Sequence, residues 1–229
     1  MSSILITGSN RGIGLALAQN YAADGWRVYA TARDPAQLRE LQALAKKHTT
    51  VSLHALDVAD GDAIQALARQ LKGEPIDVLV NNAGVYDPSP RFGHTDYDAW
   101  MHVFQVNTMA ALRMAEAFVE HVAKSQRKIM AGISSGMGSI TDNGSGGYYA
   151  YRTSKSALQM VMRSLAIDLA PRGILAVALN PGWVKTDMGG PGGSLMPEEC
   201  ARRLRGILDK LKQSDSGKFW HHAGKEFPW

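Results

Sequence analysis

A short apolar run, Ser3 to Thr7, passes directly into Gly8-Ser-Asn-Arg-Gly12-Ile-Gly14 and then into a helix-like segment from Leu15 to Ala23. Strand, glycine loop and helix in that order constrain the chain more than any other stretch, because each glycine has a separate backbone task. Gly8 permits a tight turn, Gly12 lets the backbone approach a pyrophosphate, and Gly14 allows close helix packing, with the N–H groups of the helix start turned to the phosphates. The spacing is G-x-x-x-G-x-G. Glycines also mark ordinary turns, so the loop gains meaning from the strand before it and the helix after it. In that context it reads as a dinucleotide site.

Beyond Ala23, strand and helix patterns alternate. Arg27 to Ala32, Thr50 to Leu56, the apolar run Ile76 to Val80, Lys128 to Ile133, Ile174 to Leu179 and Lys218 to His221 read as strands. Helical periodicity occupies Gln37 to Lys46, Ile64 to Leu71, Asp96 towards Val122, Tyr151 to Leu169 and Pro197 to Leu211, and Val85 to Thr95 reads as a loop with Pro88, Pro90 and Gly93. This alternation implies an α/β fold, a doubly wound parallel sheet of the Rossmann type, in a single domain over residues 1–229. Ligands of such sheets gather at the C-terminal ends of the strands. Asp57-Val58 ends the third strand, where Asp57 either holds an adenine amino group or orders the turn before Asp60, which looks like a helix cap. Asn81-Asn82-Ala83-Gly84 ends the fourth, and its small residues suit close approach of a cofactor. Asn107 lies within an apolar helical stretch; a buried polar task and a helix kink or core hydrogen bond are both open.

The position after the second strand separates the two nicotinamide cofactors. A carboxylate there accepts the ribose 2′-hydroxyl, whereas an arginine accommodates a 2′-phosphate. The residue is Arg33, and Arg11 in the glycine loop can supply a second guanidinium. A charge-assisted hydrogen bond is worth roughly 1.5–3 kcal/mol, so two arginines set an NADP preference. Asp34 is either a helix cap before Pro35 or a weakening influence on that preference.

Between Ser134 and Lys155 stands the candidate chemistry. Tyr151 and Lys155 are four apart in a helical stretch, so phenol and ammonium project from one face. A free tyrosine ionises near pH ~10, and a neighbouring cation lowers that value, which would make Tyr151 a usable proton donor. Ser134 and Ser135 place hydroxyls at the C-terminal end of the strand that closes with Ile133. Taken alone, a Tyr and a Lys at this spacing also describe an ordinary surface pair with snorkelling side chains.

Composition narrows the remaining classes. With 229 residues and 45% hydrophobic content, the chain can bury about 70% of its unfolded surface in one core. No run approaches the ~18 apolar residues of a membrane span and MSSILITGSN lacks the features of a signal peptide, so a soluble, cytoplasmic chain is expected. Cys200 is the only cysteine, which excludes an internal disulfide, and His221-His222 forms no spaced ligand set, so no metal is expected. The net charge of +4 is concentrated at Arg202, Arg203, Arg205, Lys210 and Lys212, interleaved with Leu204, Ile207, Leu208 and Leu211. That is the solvated face of an amphipathic helix, without a nucleic-acid motif.

Taken together, Thr7-Gly8-x-x-x-Gly12-Ile-Gly14, Asp57-Val58, Asn81-Asn82-Ala83-Gly84, Asn107, Ser135, Tyr151-x-x-x-Lys155 and Pro181-Gly182 resemble the short-chain dehydrogenase/reductase family over essentially the whole chain. Ser134-Ser135-Gly-Met-Gly-Ser, Tyr149-Ala-Tyr-Arg-Thr-Ser-Lys155 and the run from Pro181 to Gly190 further resemble its subgroup of Sniffer-type carbonyl reductases and the myxobacterial C-factor. The resemblance implies reduction of a small carbonyl substrate with NADP(H). Tyr151 would be the general acid, Lys155 would lower its pKa and hold the nicotinamide ribose, Ser135 would bind the carbonyl oxygen, and Asn107 would hold a water on the proton path. Ser134 is the alternative serine, because the insertion Asn143-Gly-Ser-Gly-Gly147 lengthens the stretch before Tyr151. The implied cofactor contacts are Gly8, Asn10, Arg11, Gly12, Ile13, Gly14, Arg33, Asp57, Val58, Asn82, Ala83, Gly84, Tyr151, Lys155, Pro181, Gly182, Val184 and Thr186. Tyr86, Tyr148 and Trp183 are the expected pocket wall, and the short region after Thr186 speaks against a bulky, enclosed substrate. No membrane or nucleic-acid partner is implied; monomer and homo-oligomer both stay open. A cofactor-binding signalling protein with little turnover is the alternative reading.

Overall fold

The structure, a computed structural model, describes residues 1–33, 39–87 and 91–229. Asp34, Pro35 and Gln37, and Pro88 and Pro90 of the expected loop, lie outside the described residues. Strands β1 (Ser3–Ile6), β2 (Arg27–Ala32), β3 (Val51–Ala55), β4 (Val78–Asn81), β5 (Ile129–Ile133), β6 (Leu175–Asn180), β7 (Phe219–His221) and β8 (Lys225–Glu226) form one sheet in the order β3-β2-β1-β4-β5-β6-β7-β8. All neighbours are parallel except β7 and β8, which pair antiparallel. The expected doubly wound sheet is present; the short return strand β8 was not foreseen. Its two residues are exposed and charged, so neither signals a strand by apolar alternation.

Alternate residues of each strand face opposite layers. Ile4 and Ile6 join one core with helices α1 (Gly12–Ala23) and α2 (Arg39–Lys47) and with α7 (Pro197–Leu208). Leu5 joins the other, with α3 (Gly61–Gln70), α5 (Ala110–Ala123) and α6 (Tyr149–Asp168). Both layers are buried, and for that reason the central strands read as continuous apolar runs. Asp60 caps α3 as expected, accepting from the backbone N–H of Asp62 and Ala63. The helix expected from Asp96 towards Val122 is divided: α4 (Tyr97–Phe104) passes through a wider π turn, Gln105–Met109, into α5.

Arg202, Arg203, Lys210 and Lys212 are exposed, as a solvated face requires, and Arg205 is half-buried. Arg205 pairs with Asp24 and Asp209, donates to Asn20 and lies over the Tyr21 ring, while Arg203 pairs with Glu199. Cys200 is buried beneath it, and burial pushes its thiol up to about 12, which keeps it unreactive.

The segment Ile76 to Val80 is not wholly apolar. Asp77, just before β4, is buried, and its carboxylate accepts from the backbone N–H of Ser3 (2.9 Å), Gln126 (3.2 Å) and Arg127 (3.1 Å). One side chain thus ties the start of β1 to the turn that leads into β5, at the sheet edge opposite the strand C-termini. Asp77→Ala would leave these donors without their partner, and we expect a loss of about 2–4 kcal/mol of stability, read as a lower urea midpoint with unchanged slope.

Candidate active site

At the C-terminal ends of β1 and β4 the chain order reverses across the sheet, which opens a crevice between the following loops. The crevice is closely stitched. Thr7 Oγ1 accepts from the backbone N–H of Asn82 (2.9 Å) and Ala83 (3.0 Å), and Asn82 Nδ2 donates to the carbonyls of Thr7 and Gly8. A Cβ at Gly14 would lie 2.3 Å from Gly8 O and 2.5 Å from Asn82 Nδ2, so only glycine lets α1 start against this loop. Asn82, expected as a cofactor contact, spends its amide donor on the loop itself.

Above this floor opens a cleft of ≈ 930 Å³, lined among others by Gly12, Ile13, Gly14, Gly84, Ser135, Tyr151, Lys155, Pro181, Gly182, Val184 and Thr186. Its volume matches a site for a large ligand. The glycine cradle at one end and the Tyr151 group at the other fit a nicotinamide dinucleotide. Arg33 is exposed directly after β2. Arg11 instead pairs with Asp187 at 2.5 Å, with both side chains exposed, so part of the charge expected to meet a phosphate is already engaged. Such an exposed pair is weak and yields readily to a stronger anion. Asp57 is exposed and one of its oxygens accepts from Ala59 N–H at 2.9 Å, which is the turn-ordering alternative; Val58 is buried behind it.

The two serines part company. Ser134 is buried, donates to the Lys155 carbonyl and accepts from Gln159 Nε2 at 3.0 Å, so its hydroxyl is consumed in packing. Ser135, at the start of the turn Gly136–Gly138, is partly open to the cleft, its Oγ accepts from Met137 N–H at 3.1 Å, and its hydroxyl favours the ionised Tyr151 phenol.

Lys155 and Tyr151 are both buried, with Lys155 Nζ donating to the Ile133 carbonyl at 2.8 Å and lying 5.7 Å from the centre of the Tyr151 ring. The expected lowering of the Tyr151 pKa by Lys155 is not what this arrangement gives. Burial pushes Tyr151 up, against a smaller downward pull from the Ser135 hydrogen bond. Lys155 is itself lowered to about 8 by desolvation, so its positive charge is costly where it stands.

Asn107 falls on the π turn, buried between loop and helix. Its Oδ1 accepts from Val85 N–H at 2.8 Å, and its Nδ2 donates to Val85 O (2.9 Å) and Ser154 Oγ (3.0 Å). Both Nδ2 hydrogens are therefore committed to the protein, while Oδ1 accepts one bond and keeps a second lone pair. The kink and core hydrogen-bond alternative describes this residue.

Tyr86, Tyr148 and Trp183 do line the cleft, and Tyr86 packs edge-on against Tyr151 with ring centres 5.0 Å apart. Met137, His221 and Phe227 also line it and were missed. His221 ends the strand expected over Lys218 to His221, whereas Phe227 follows β8, which no sequence pattern announced.

The family model described as short chain dehydrogenase matches residues 2–194. C-signal of Myxococcus xanthus is 39% identical over 166 residues, covering 72% of this chain and all of that protein. The structure of carbonyl reductase Sniffer of D. melanogaster superposes with a TM-score of 0.95 at 35% identity, with both chains fully covered. NADPH-bound carbonyl reductase from chicken fatty liver gives a TM-score of 0.94 at 35% identity, covering 100% of this chain and 99% of that one.

The depressed lysine yields a prediction that does not depend on turnover. In the unfolded chain a lysine ionises near ~10.4, so between about 8 and that value the unfolded state binds more protons and stability rises with pH. Lys155→Met removes this rise: the difference in melting temperature between variant and parent should favour the variant at pH 7 and shrink towards pH 10. A difference that is flat across this range would show that the ammonium is not desolvated.

Proposed function

The chain belongs to the short chain dehydrogenase family, and we propose that it is a cytosolic NADPH-dependent reductase that converts small aldehydes and ketones to alcohols. The observation that supports this most is the convergence of Tyr151, Ser135 and Lys155 at the floor of a cleft whose other end is the glycine cradle. A bound nicotinamide supplies the hydride. Tyr151, kept protonated by burial, is the donor that delivers a proton to the carbonyl oxygen as negative charge develops there. Ser135 hydrogen-bonds the same oxygen, and Lys155, anchored by the Ile133 carbonyl, stabilises the phenolate left behind. A cation near pH 8 has this effect only while charged, so reduction should slow as pH rises past that value.

In this reading Gly8, Asn10, Gly12, Ile13 and Gly14 cradle the pyrophosphate and Arg33 meets the 2′-phosphate, with Arg11 assisting after release from Asp187. Val58, Ala83 and Gly84 flank the adenine and ribose side, and Pro181, Gly182, Val184 and Thr186 the nicotinamide side. The NADPH-bound chicken reductase is consistent with that cofactor. The likeness to C-signal supports one rival, a cofactor-binding signalling protein. Purified protein that binds NADPH but reduces no aldehyde or ketone would favour it.

Tyr151→Phe should retain NADPH binding and lose roughly two to four orders of magnitude in kcat, measured by loss of nicotinamide absorbance. Near-parental turnover would assign the proton to another group. Arg33→Asp should weaken NADPH far more than NADH in paired titrations, because it sets a like charge against the phosphate.

A further inference from the structure

Among the described residues, two other than glycine have a left-handed backbone, Lys128 (φ 55°) and Tyr148 (φ 50°). Lys128 closes a tight turn at the N-terminal end of β5, away from the cleft, with its N–H on Ser125 Oγ. Tyr148 stands at the cleft, as the third of three consecutive left-handed residues after Gly146 (φ 63°) and Gly147 (φ 66°). A Cβ at Gly146 would meet nothing within 4 Å, so its glycine answers to φ and not to crowding. Tyr148 takes up the same conformation at a cost that glycine avoids.

The turn is held from the side. Arg152, in the first helical turn of α6, donates to Gly146 O (3.2 Å), Ser145 Oγ (2.7 Å) and Met137 O (3.1 Å), joining the insertion to the serine turn. The Tyr148 ring then lies 6.0 Å from Tyr86, whose edge meets Tyr151. Burial and the adjoining Tyr148 phenol push Tyr86 up to about 12, so it stays neutral at any working pH. Strain at a functional cleft persists when the surrounding contacts over-determine it, and here they do.

We propose that Tyr148 is a specificity-determining residue: the left-handed turn 146–148, pinned by Arg152, lodges its ring beside Tyr86 as the wall that takes the flat substituent of an unsaturated carbonyl. This rests on the reductase reading and adds to it which residue selects among carbonyls and what backbone conformation makes that possible.

The test compares 1-phenyl-1,2-propanedione with 2,3-butanedione, which differ in one phenyl group, in Tyr148→Gly, Tyr148→Ala and Tyr148→Phe. The Gly and Ala variants should each lower the ratio of kcat/KM for the phenyl diketone over that for butanedione about tenfold, mainly through KM for the phenyl diketone. The Phe variant keeps the ring and should keep the parental ratio. Tyr148→Gly should melt about 2–4 °C above Tyr148→Ala, because both lose the ring and only glycine is at ease with a positive φ. An unchanged substrate ratio in the Gly and Ala variants, loss of the ratio in the Phe variant, or Tyr148→Ala melting at or above Tyr148→Gly would each overturn the proposal while leaving the reductase reading intact. A parent protein that reduces neither diketone, nor any other carbonyl, would overturn both.

Discussion

The close seam between the ends of β1 and β4 is the constraint on which the rest of the molecule depends. Thr7 and Asn82 hold two neighbouring strand ends together by side chain to backbone hydrogen bonds. That seam is so tight that the first turn of α1 can begin only with a glycine against it. Because the chain leaves β1 and β4 towards helices in opposite layers, the crevice opens directly above the seam. A floor made of backbone and small residues leaves room for a cofactor, at the cost of assigning polar side chains such as Asn82 to support instead of contact.

The other end of the cleft is built on the opposite principle, with large groups placed where they are costly. A buried ammonium, a buried phenol and a buried glutamine occupy adjacent turns of α6. Gln159 and the Lys155 carbonyl saturate Ser134, which fixes the turn and leaves Ser135 to face the cleft. Stability is given up at Lys155 and recovered in the two apolar layers, where side chains such as Phe118 and Met114 are fully buried and each contributes about 1.5–3 kcal/mol. A buried polar cluster of this kind needs a large core around it.

Legibility in the sequence followed the range of the interactions. The sheet, its crevice and the Tyr151–Lys155 face rest on period, spacing and glycine placement, which are local properties, and they were readable. The role of Asp77 was not, because its three partners come from segments 49 to 74 residues away and a lone carboxylate in an apolar run carries no mark of them. Strand β8 escaped for a similar reason: its two charged residues pair only because β7 already provides an edge, and with them came Phe227. The partners of Asn107 and Arg11, Ser154 and Asp187, follow from chain geometry that motif spacing does not encode. The sign of the Tyr151 shift depends on desolvation, and burial depth is a property of the assembled fold.

The π turn at Gln105–Met109 says something about how such a site tolerates change in chain length. A π turn is an α-helix carrying one residue too many, and each residue of a helix rotates the next by about 100°. Helix α4 and the π turn dock on the same partner: Trp100 Nε1 reaches Thr153 Oγ1, and Thr108 Oγ1 reaches the Ser154 carbonyl. Deleting a single residue here would regularise the helix and swing Trp100 away from α6. The surplus residue therefore acts as a phase shift between two helical segments, and it has become indispensable to the register of the site although it makes the helix itself less regular. A gain or loss of one residue along this stretch therefore disturbs the site through helical phase, as one in an exposed loop would not.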